Sequence, residues 1–138
     1  MNSFQTAVVG GGAAGLMAAI TAAQQGRAVA LLEGNTRLGR KILISGNGRC
    51  NLTNRDADSV EHYHGSHREF TAAVLERYPV KETLAFFAEM GLECKTANLG
   101  RLFPVTDQAA TVLNLLEDKL HELGVHFVTE AKIKELRL

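Results

Sequence analysis

The chain has 138 residues, 46% of them hydrophobic and 22% charged, and its 15 basic and 15 acidic residues cancel. That balance predicts a single soluble globular unit with its own core, and it leaves no whole-chain basic field to attract nucleic acid or anionic lipid. The apolar runs are strand-sized, too short to span a membrane, and the N-terminus shows no charged leader, so a cytoplasmic location is the expectation.

The first predicted element is a strand over Phe4–Val9, whose apolar run Thr6-Ala7-Val8-Val9 predicts burial on both faces, as in a parallel sheet. It leads into Gly10-Gly11-Gly12-Ala13-Ala14-Gly15. An alanine-rich helix follows over Ala13–Gln25, with Gly26 as its stop, and then a second strand over Ala28–Glu33. Glu33 lies 18 residues beyond Gly15. A G-x-G-x-x-G sequence between strand and helix, followed by an acid at this spacing, is the fingerprint of an adenine dinucleotide site. Gly10 permits the tight turn, Gly12 lets a pyrophosphate approach the backbone, and Gly15 lets the helix pack close to the strand. The unpaired amides at the helix start, at Gly12, Ala13 and Ala14, point toward the diphosphate. Glu33 can accept hydrogen bonds from the adenosine ribose and would repel a 2′-phosphate.

Gly34–Asn54 is polar and glycine-rich, with a short helix predicted near Gly39–Ile44. Within it, Leu38–Asn51 carries three cations, Arg40, Lys41 and Arg49, and three glycines, Gly39, Gly46 and Gly48. Such a loop can cradle an anion, with Ser45 and Asn51 as further polar groups, or it can be a solvated basic loop. Arg55–Gly65 reads as irregular. Helices are predicted over Glu69–Tyr78, closed by Pro79, and over Lys81–Met90, with Leu84, Phe87 and Ala88 on one face and Gly91 as the stop. Leu92–Thr96 and Arg101–Phe103 read as a short hairpin. Val112, Leu115, Leu116, Leu120 and Leu123 have helical spacing, with Asp107 as N-cap and Gly124 as stop. Val125–Val128 is the third parallel strand, and another begins at Ile133–Leu138.

Other residues have plainer readings. His62 and His64 share a face if extended, but no nearby cysteine completes a zinc pattern, so no metal site is predicted. Cys50 and Cys94 are expected to be reduced thiols; Arg49 could lower the Cys50 pKa, although a small buried residue is the simpler reading. Arg101 could stabilise an anionic flavin or substrate, or pair with Glu93. No nucleophile–base arrangement can be assembled from the spacings, and no catalytic residue is assigned.

The combined pattern resembles the bacterial BaiN/RdsA-like family of NAD(P)- or FAD-dependent oxidoreductases, which includes aminoacetone-oxidase-like enzymes. The matching stretches are Val8–Ala19, Leu38–Asn54 and Gly100–Val105. The resemblance implies an α/β fold: a Rossmann-like, FAD-binding domain with a parallel sheet and a small helical segment, here its N-terminal part over residues 1–138. It implies non-covalent FAD, held at Gly10, Gly12 and Gly15, at Glu33, and by a second loop of Arg40, Lys41, Ser45, Gly46, Gly48, Arg49 and Asn51. Ile133 is the candidate for an adenine contact after the third strand.

Members of the family run to roughly three times this length. The resemblance therefore implies a flavin-dependent oxidoreductase whose substrate domain, and the rest of whose flavin domain, lie outside this chain. Two other readings stay open: an inactive or partner-dependent dinucleotide-binding fragment, and a simple NAD-binding domain. In a sheet of order 3-2-1-4 the first strand would keep a bare edge here, inviting a homodimer or a complementary fragment.

Overall fold

The computed structural model describes residues 3–135. A strand–helix–strand unit opens it: β1 (Thr6–Val9), α1 (Ala13–Gln24) and β2 (Val29–Leu32). β1 and β2 pair in parallel, Thr6 opposite Val29 through Val9 opposite Leu32. The middle of the chain supplies α2 (Arg40–Ile44), β3 (Thr53–Asn54), α3 (Arg68–Arg77), α4 (Val80–Glu89), β4 (Cys94–Thr96) and β5 (Arg101–Pro104). The chain then returns through α5 (Ala109–Glu122) to β6 (His126–Val128), which pairs in parallel with the other side of β2. The main sheet therefore runs β1-β2-β6, the Rossmann-like arrangement expected from the sequence, with β1 at an edge.

The core lies between this sheet and the helices. In α1 the buried residues Leu16, Ala19 and Ile20 recur at helical spacing and face the strands. In α5 the buried set is Ala109, Val112, Leu113, Leu116 and Leu120, so one side of that helix packs on α1 and α2. Leu115 and Leu123 are only partly buried. Three helices end on a left-handed glycine. At Gly26, Gly91 and Gly124 the residue after the glycine donates back to a carbonyl in the last turn: Arg27 to Ala22, Leu92 to Phe87 and Val125 to Leu120.

A second, antiparallel sheet of order β3-β5-β4 sits beside the polar loop. The expected hairpin is its β4–β5 half, with Cys94 opposite Pro104. Its third strand, β3, is only two residues long and lies inside the stretch expected to be loop.

Five expectations change. β1 starts at Thr6 rather than Phe4, and it alternates instead of being buried on both faces: Val8 packs against the core, while Ala7 is exposed and Val9 is 60% exposed. The reason is that α1 covers one face and no described element covers the other. Ala88 is exposed, because α4 turns Phe87 inward and Leu84 only partly. Asp107 does not cap α5. It adopts a left-handed backbone, φ 52°, and pairs with Lys95 of β4, so Gln108 becomes the N-cap without a side-chain bond. Arg101 does not pair with Glu93; its Nε donates to the Asn98 carbonyl. Residues 133–135 form no strand, and Ile133 is 46% exposed. The rest of that expected strand lies outside the described residues.

The tightest point of the βαβ unit is Gly15, where a Cβ would lie 1.8 Å from the Gly10 carbonyl oxygen. Gly15→Ala should therefore lower stability by about 3 kcal/mol, or prevent folding, read as a fall in the urea midpoint.

Candidate dinucleotide site

The site is built on the turn between β1 and α1. Gly10 takes φ 103°, a conformation that favours glycine, while its N–H continues the ladder to the Leu32 carbonyl at 2.7 Å. Gly12 is the N-cap of α1 and has no side chain to cap it. A Cβ at Gly12 would meet nothing within 4 Å, so the space in front of it is open. Gly12, Ala13 and Ala14 are exposed, and among the described residues no acceptor satisfies their amides. This leaves a 12-residue helix presenting its positive end to open space.

Gly11 faces the other way. It is buried, and its N–H donates to Glu33 Oε2 at 2.7 Å. Glu33 follows β2 and continues the ladder, its N–H donating to the Val128 carbonyl at 2.9 Å. Its side chain is only 9% exposed. A buried carboxylate is costly unless hydrogen-bonded, and here three donors meet it. Besides Gly11, the Asn35 N–H and Asn35 Nδ2 donate to Oε1 at 2.8 and 2.6 Å. The Asn35 amide, then the Gly11 amide and the Asn35 side chain, hold the Glu33 carboxyl below its ordinary range against the upward push of burial. Oε2 accepts from the Gly11 N–H, and the Gly34 amide adds a weaker lowering effect.

The Arg40–Asn51 loop is joined to this turn. The Gly39 N–H donates to the Gly11 carbonyl at 2.7 Å, and Gly39 itself is left-handed, with Leu113 of α5 so close that a Cβ would come within 2.4 Å of it. Arg40 Nη1 donates to Asn35 Oδ1 at 2.7 Å. Lys41, Ser45, Cys50 and Asn51 line a cavity of about 380 Å³ whose wall also includes Ala13 and Met17 of α1 and whose floor is apolar residues of α4 and α5. A larger cavity of about 450 Å³ lies under Tyr63, Asn54 and Leu99 and gathers none of the predicted site residues.

Gly46 and Gly48 shape the loop: a Cβ at Gly46 would come within 2.7 Å of Asn51 and Phe103, and the Gly48 amide is used inside the loop. Gly46, Asn47, Gly48 and Cys50 are all left-handed. The amides of Gly48 and Cys50 both donate to the Ser45 carbonyl, and α5 holds the loop through the Ala109 N–H on the Gly48 carbonyl at 2.8 Å. Arg49 folds back: its Nε donates to the Gly46 carbonyl, and its guanidinium lies 4.4 Å from the Phe103 ring centroid. Cys50 is buried, and burial pushes its thiol pKa up, against the lowering that Arg49 could have provided. At the opposite end, the Ala131 N–H donates to the Glu33 carbonyl at 2.8 Å, so Ile133 follows two residues beyond a bond to the Glu33 backbone.

The structure thus brings Gly10, Gly12, Ala13, Ala14, Gly15, Glu33, Arg40, Lys41, Ser45 and Asn51 around one turn and its adjoining cavity. It turns Arg49 onto Phe103. The sequence reading missed Gly11, Asn35 and Gly39, whose signals were only a third glycine, an Asn two residues past the acid and a glycine before a short helix. Among the described residues, no group of three His, Cys, Asp or Glu could hold a metal, and no helix is long and apolar enough to cross a membrane.

Residues 4–138 match the HI0933-like protein Rossmann domain. The chain belongs to this family. It is 46% identical over 133 residues to the 3-dehydro-bile acid delta(4,6)-reductase of Clostridium scindens, covering 95% of this chain and 32% of that protein. It is 31% identical over 133 residues to the ribosomal RNA dihydrouridine synthase of Escherichia coli, covering 96% of this chain and 33% of that one. The HI0933-like chain described here therefore spans about a third of the length of these relatives. Among solved structures it shares its fold with the 3-ketosteroid-delta4-(5alpha)-dehydrogenase of Rhodococcus jostii RHA1, at a TM-score of 0.68 and 15% identity over 92% of this chain and 38% of that one. A flavocytochrome c3 fumarate reductase gives 0.56 and 16% over 92% and 26%.

Because the Glu33 carboxyl is held low in the folded chain, its contribution is present above the ordinary carboxylate value of 4.5 and is lost as pH falls through the lower folded-state value. Glu33→Gln should cost about 1–3 kcal/mol at neutral pH. It should also flatten the acid limb of the urea midpoint against pH, which falls more steeply in the parent.

Proposed function

We propose that this chain is the FAD-binding part of a flavin-dependent oxidoreductase. The observation that carries the reading is the open turn: Gly12 with free space before it, unsatisfied amides in the first turn of α1, and the buried Glu33 carboxylate aimed at the same turn. This donor and acceptor set fits a dinucleotide, since the amides complement a diphosphate and the remaining Oε2 lone pair complements a ribose hydroxyl. The names of the relatives support a cofactor role. A bile acid and a ribosomal RNA share little chemistry, so a segment that makes up about a third of enzymes named for both is best read as holding what the reactions have in common.

In this reading Gly12, Ala13 and Ala14 bind the diphosphate, and the α1 dipole offsets its charge. Glu33 fixes the adenosine ribose, and Ile133 offers an apolar contact to adenine. Arg40 and Lys41 add positive charge beside the diphosphate, while Ser45 and Asn51 flank the cofactor along the cavity. Arg49, stacked on Phe103, stiffens the loop. When bound, FAD supplies the hydride or electron transfer, and the protein's part is binding, orientation and electrostatics. Substrate selection and any proton-transfer groups belong to the remainder of a longer polypeptide.

That remainder has a natural attachment point. The amides of Thr6 and Gly10 point to β2, so by the alternation of a parallel ladder those of Ala7 and Val9 point outward from the β1 edge. This unpaired row favours a further strand, from a complementary segment or from a second copy.

Two measurements test these readings. The purified chain, as isolated or after incubation with FAD, should show protein-bound flavin absorbance, abolished by Gly12→Val and weakened about tenfold or more by Glu33→Ala. A colourless chain that binds NADH instead favours the NAD-binding reading, and one that binds neither favours a partner-dependent or inactive fragment. On light scattering the chain alone should self-associate, and Val9→Pro, which removes an outward N–H without touching the β1–β2 ladder, should make it monomeric.

A further inference from the structure

Two of the three donors on the Glu33 carboxylate come from one residue. The Asn35 N–H and Nδ2 both reach Oε1, at 2.8 and 2.6 Å, while Asn35 Oδ1 accepts from Arg40 Nη1 at 2.7 Å. We propose that Asn35 is a positioning residue that saturates one oxygen of Glu33 and holds Arg40 off the carboxylate, leaving the other oxygen as a single acceptor for an unphosphorylated adenosine ribose. The proposal rests on the dinucleotide reading above and adds to it a determinant of ribose recognition.

The chemistry follows from the side-chain inventory. A primary amide offers donors and an acceptor together, so it can stand between a carboxylate and a guanidinium and satisfy both. Without it, Arg40 could pair with Glu33 directly, and a bidentate pair would occupy both carboxylate oxygens. With it, Oε1 has two short donors and Oε2 has the Gly11 N–H, at 2.7 Å, while the Gly34 amide adds a weaker pull on the same carboxylate. In this proposal the remaining Oε2 lone pair, beside the Gly11 amide, is the one a ribose meets. A ribose hydroxyl can donate there. A 2′-phosphate has no proton to give at neutral pH and meets an anion, while the nearest guanidinium is tethered to Asn35. The adjoining segment carries Glu130, whose N–H donates to the Asn35 carbonyl, Lys132, whose side chain passes Gly34, and then Lys134 and Glu135.

Asn35→Asp separates this role from a merely structural one. The substitution keeps the shape and the Arg40 contact but sets a second carboxylate oxygen against Glu33 Oε1. Like charges at that distance share a proton, so the pair should titrate upward. Measured by calorimetry with ADP-ribose, the variant should bind about tenfold more weakly than the parent at about pH 8 and recover toward about pH 5, where the parent is flat. Asn35→Ala should lose about fivefold with no pH dependence. In the ligand-free protein, carbon-13 titration should find the Glu33 carboxyl below the ordinary carboxylate range in the parent and above it in Asn35→Asp. Circular dichroism checks that each variant is folded. An unmoved Glu33 titration in folded Asn35→Asp, or parental affinity in both variants at every pH, overturns the proposal. A parent that binds no ADP-ribose although the carboxyl shift is present overturns the dinucleotide reading, and with it the role assigned to Asn35.

Discussion

The site depends on how one buried negative charge is satisfied. Glu33 leaves β2 with little of its surface open to solvent and must find donors there. It finds them in the Gly11 amide and in Asn35, and in doing so ties the end of the second strand to the turn after the first. The Gly11 carbonyl is in turn held by Gly39, and Gly39 is pressed against α5. Strand end, glycine turn, polar loop and C-terminal helix are thus linked through consecutive backbone groups. Among the described residues, the amides at the start of α1 are left without an acceptor and face outward.

Much of this was legible in the sequence, for physical reasons that can be named. The G-x-G-x-x-G turn and its acid could be read because each glycine answers a separate steric demand: Gly10 takes a positive φ, Gly15 sits against the Gly10 carbonyl, and Gly12 has open space before it. Helix ends were legible where a glycine closes them, at Gly26, Gly91 and Gly124, because the left-handed cap is a local event. α5 was legible from the spacing of its leucines, although Leu113, wedged against Gly39, lay outside the simplest pattern.

What was not legible depends on contacts between distant residues. Asp107 has the chemistry of an N-cap, but Lys95, on a strand a dozen residues earlier, draws its carboxylate away and Gln108 takes the position. β3 is too short to carry a period and exists only because β5 offers it an edge. Arg49 reads as an anion ligand, yet Phe103 offers its ring face and the Gly46 carbonyl completes the capture. Asn35 carried only the faint signal of its place two residues past the acid, since its meaning lies in standing between a carboxylate and a guanidinium. Likewise, β1 reads as an inner strand, and its outer face is bare only because no described element lies on it.

The pairing of β2 with β6 also bears on how the polypeptide takes shape as it leaves the ribosome. Ala30, opposite Ala7 on one side, finds its other partner only at His126, so the central strand of the main sheet waits through most of the chain for its second neighbour. Until then the first two strands form a narrow parallel ribbon with two open sides, and the helices between must remain loosely held. Contacts of such wide separation slow the search for the native arrangement and lengthen the time during which a nascent chain is vulnerable to mispairing. The βαβ start, local and rich in alanine, gives that search an early foothold.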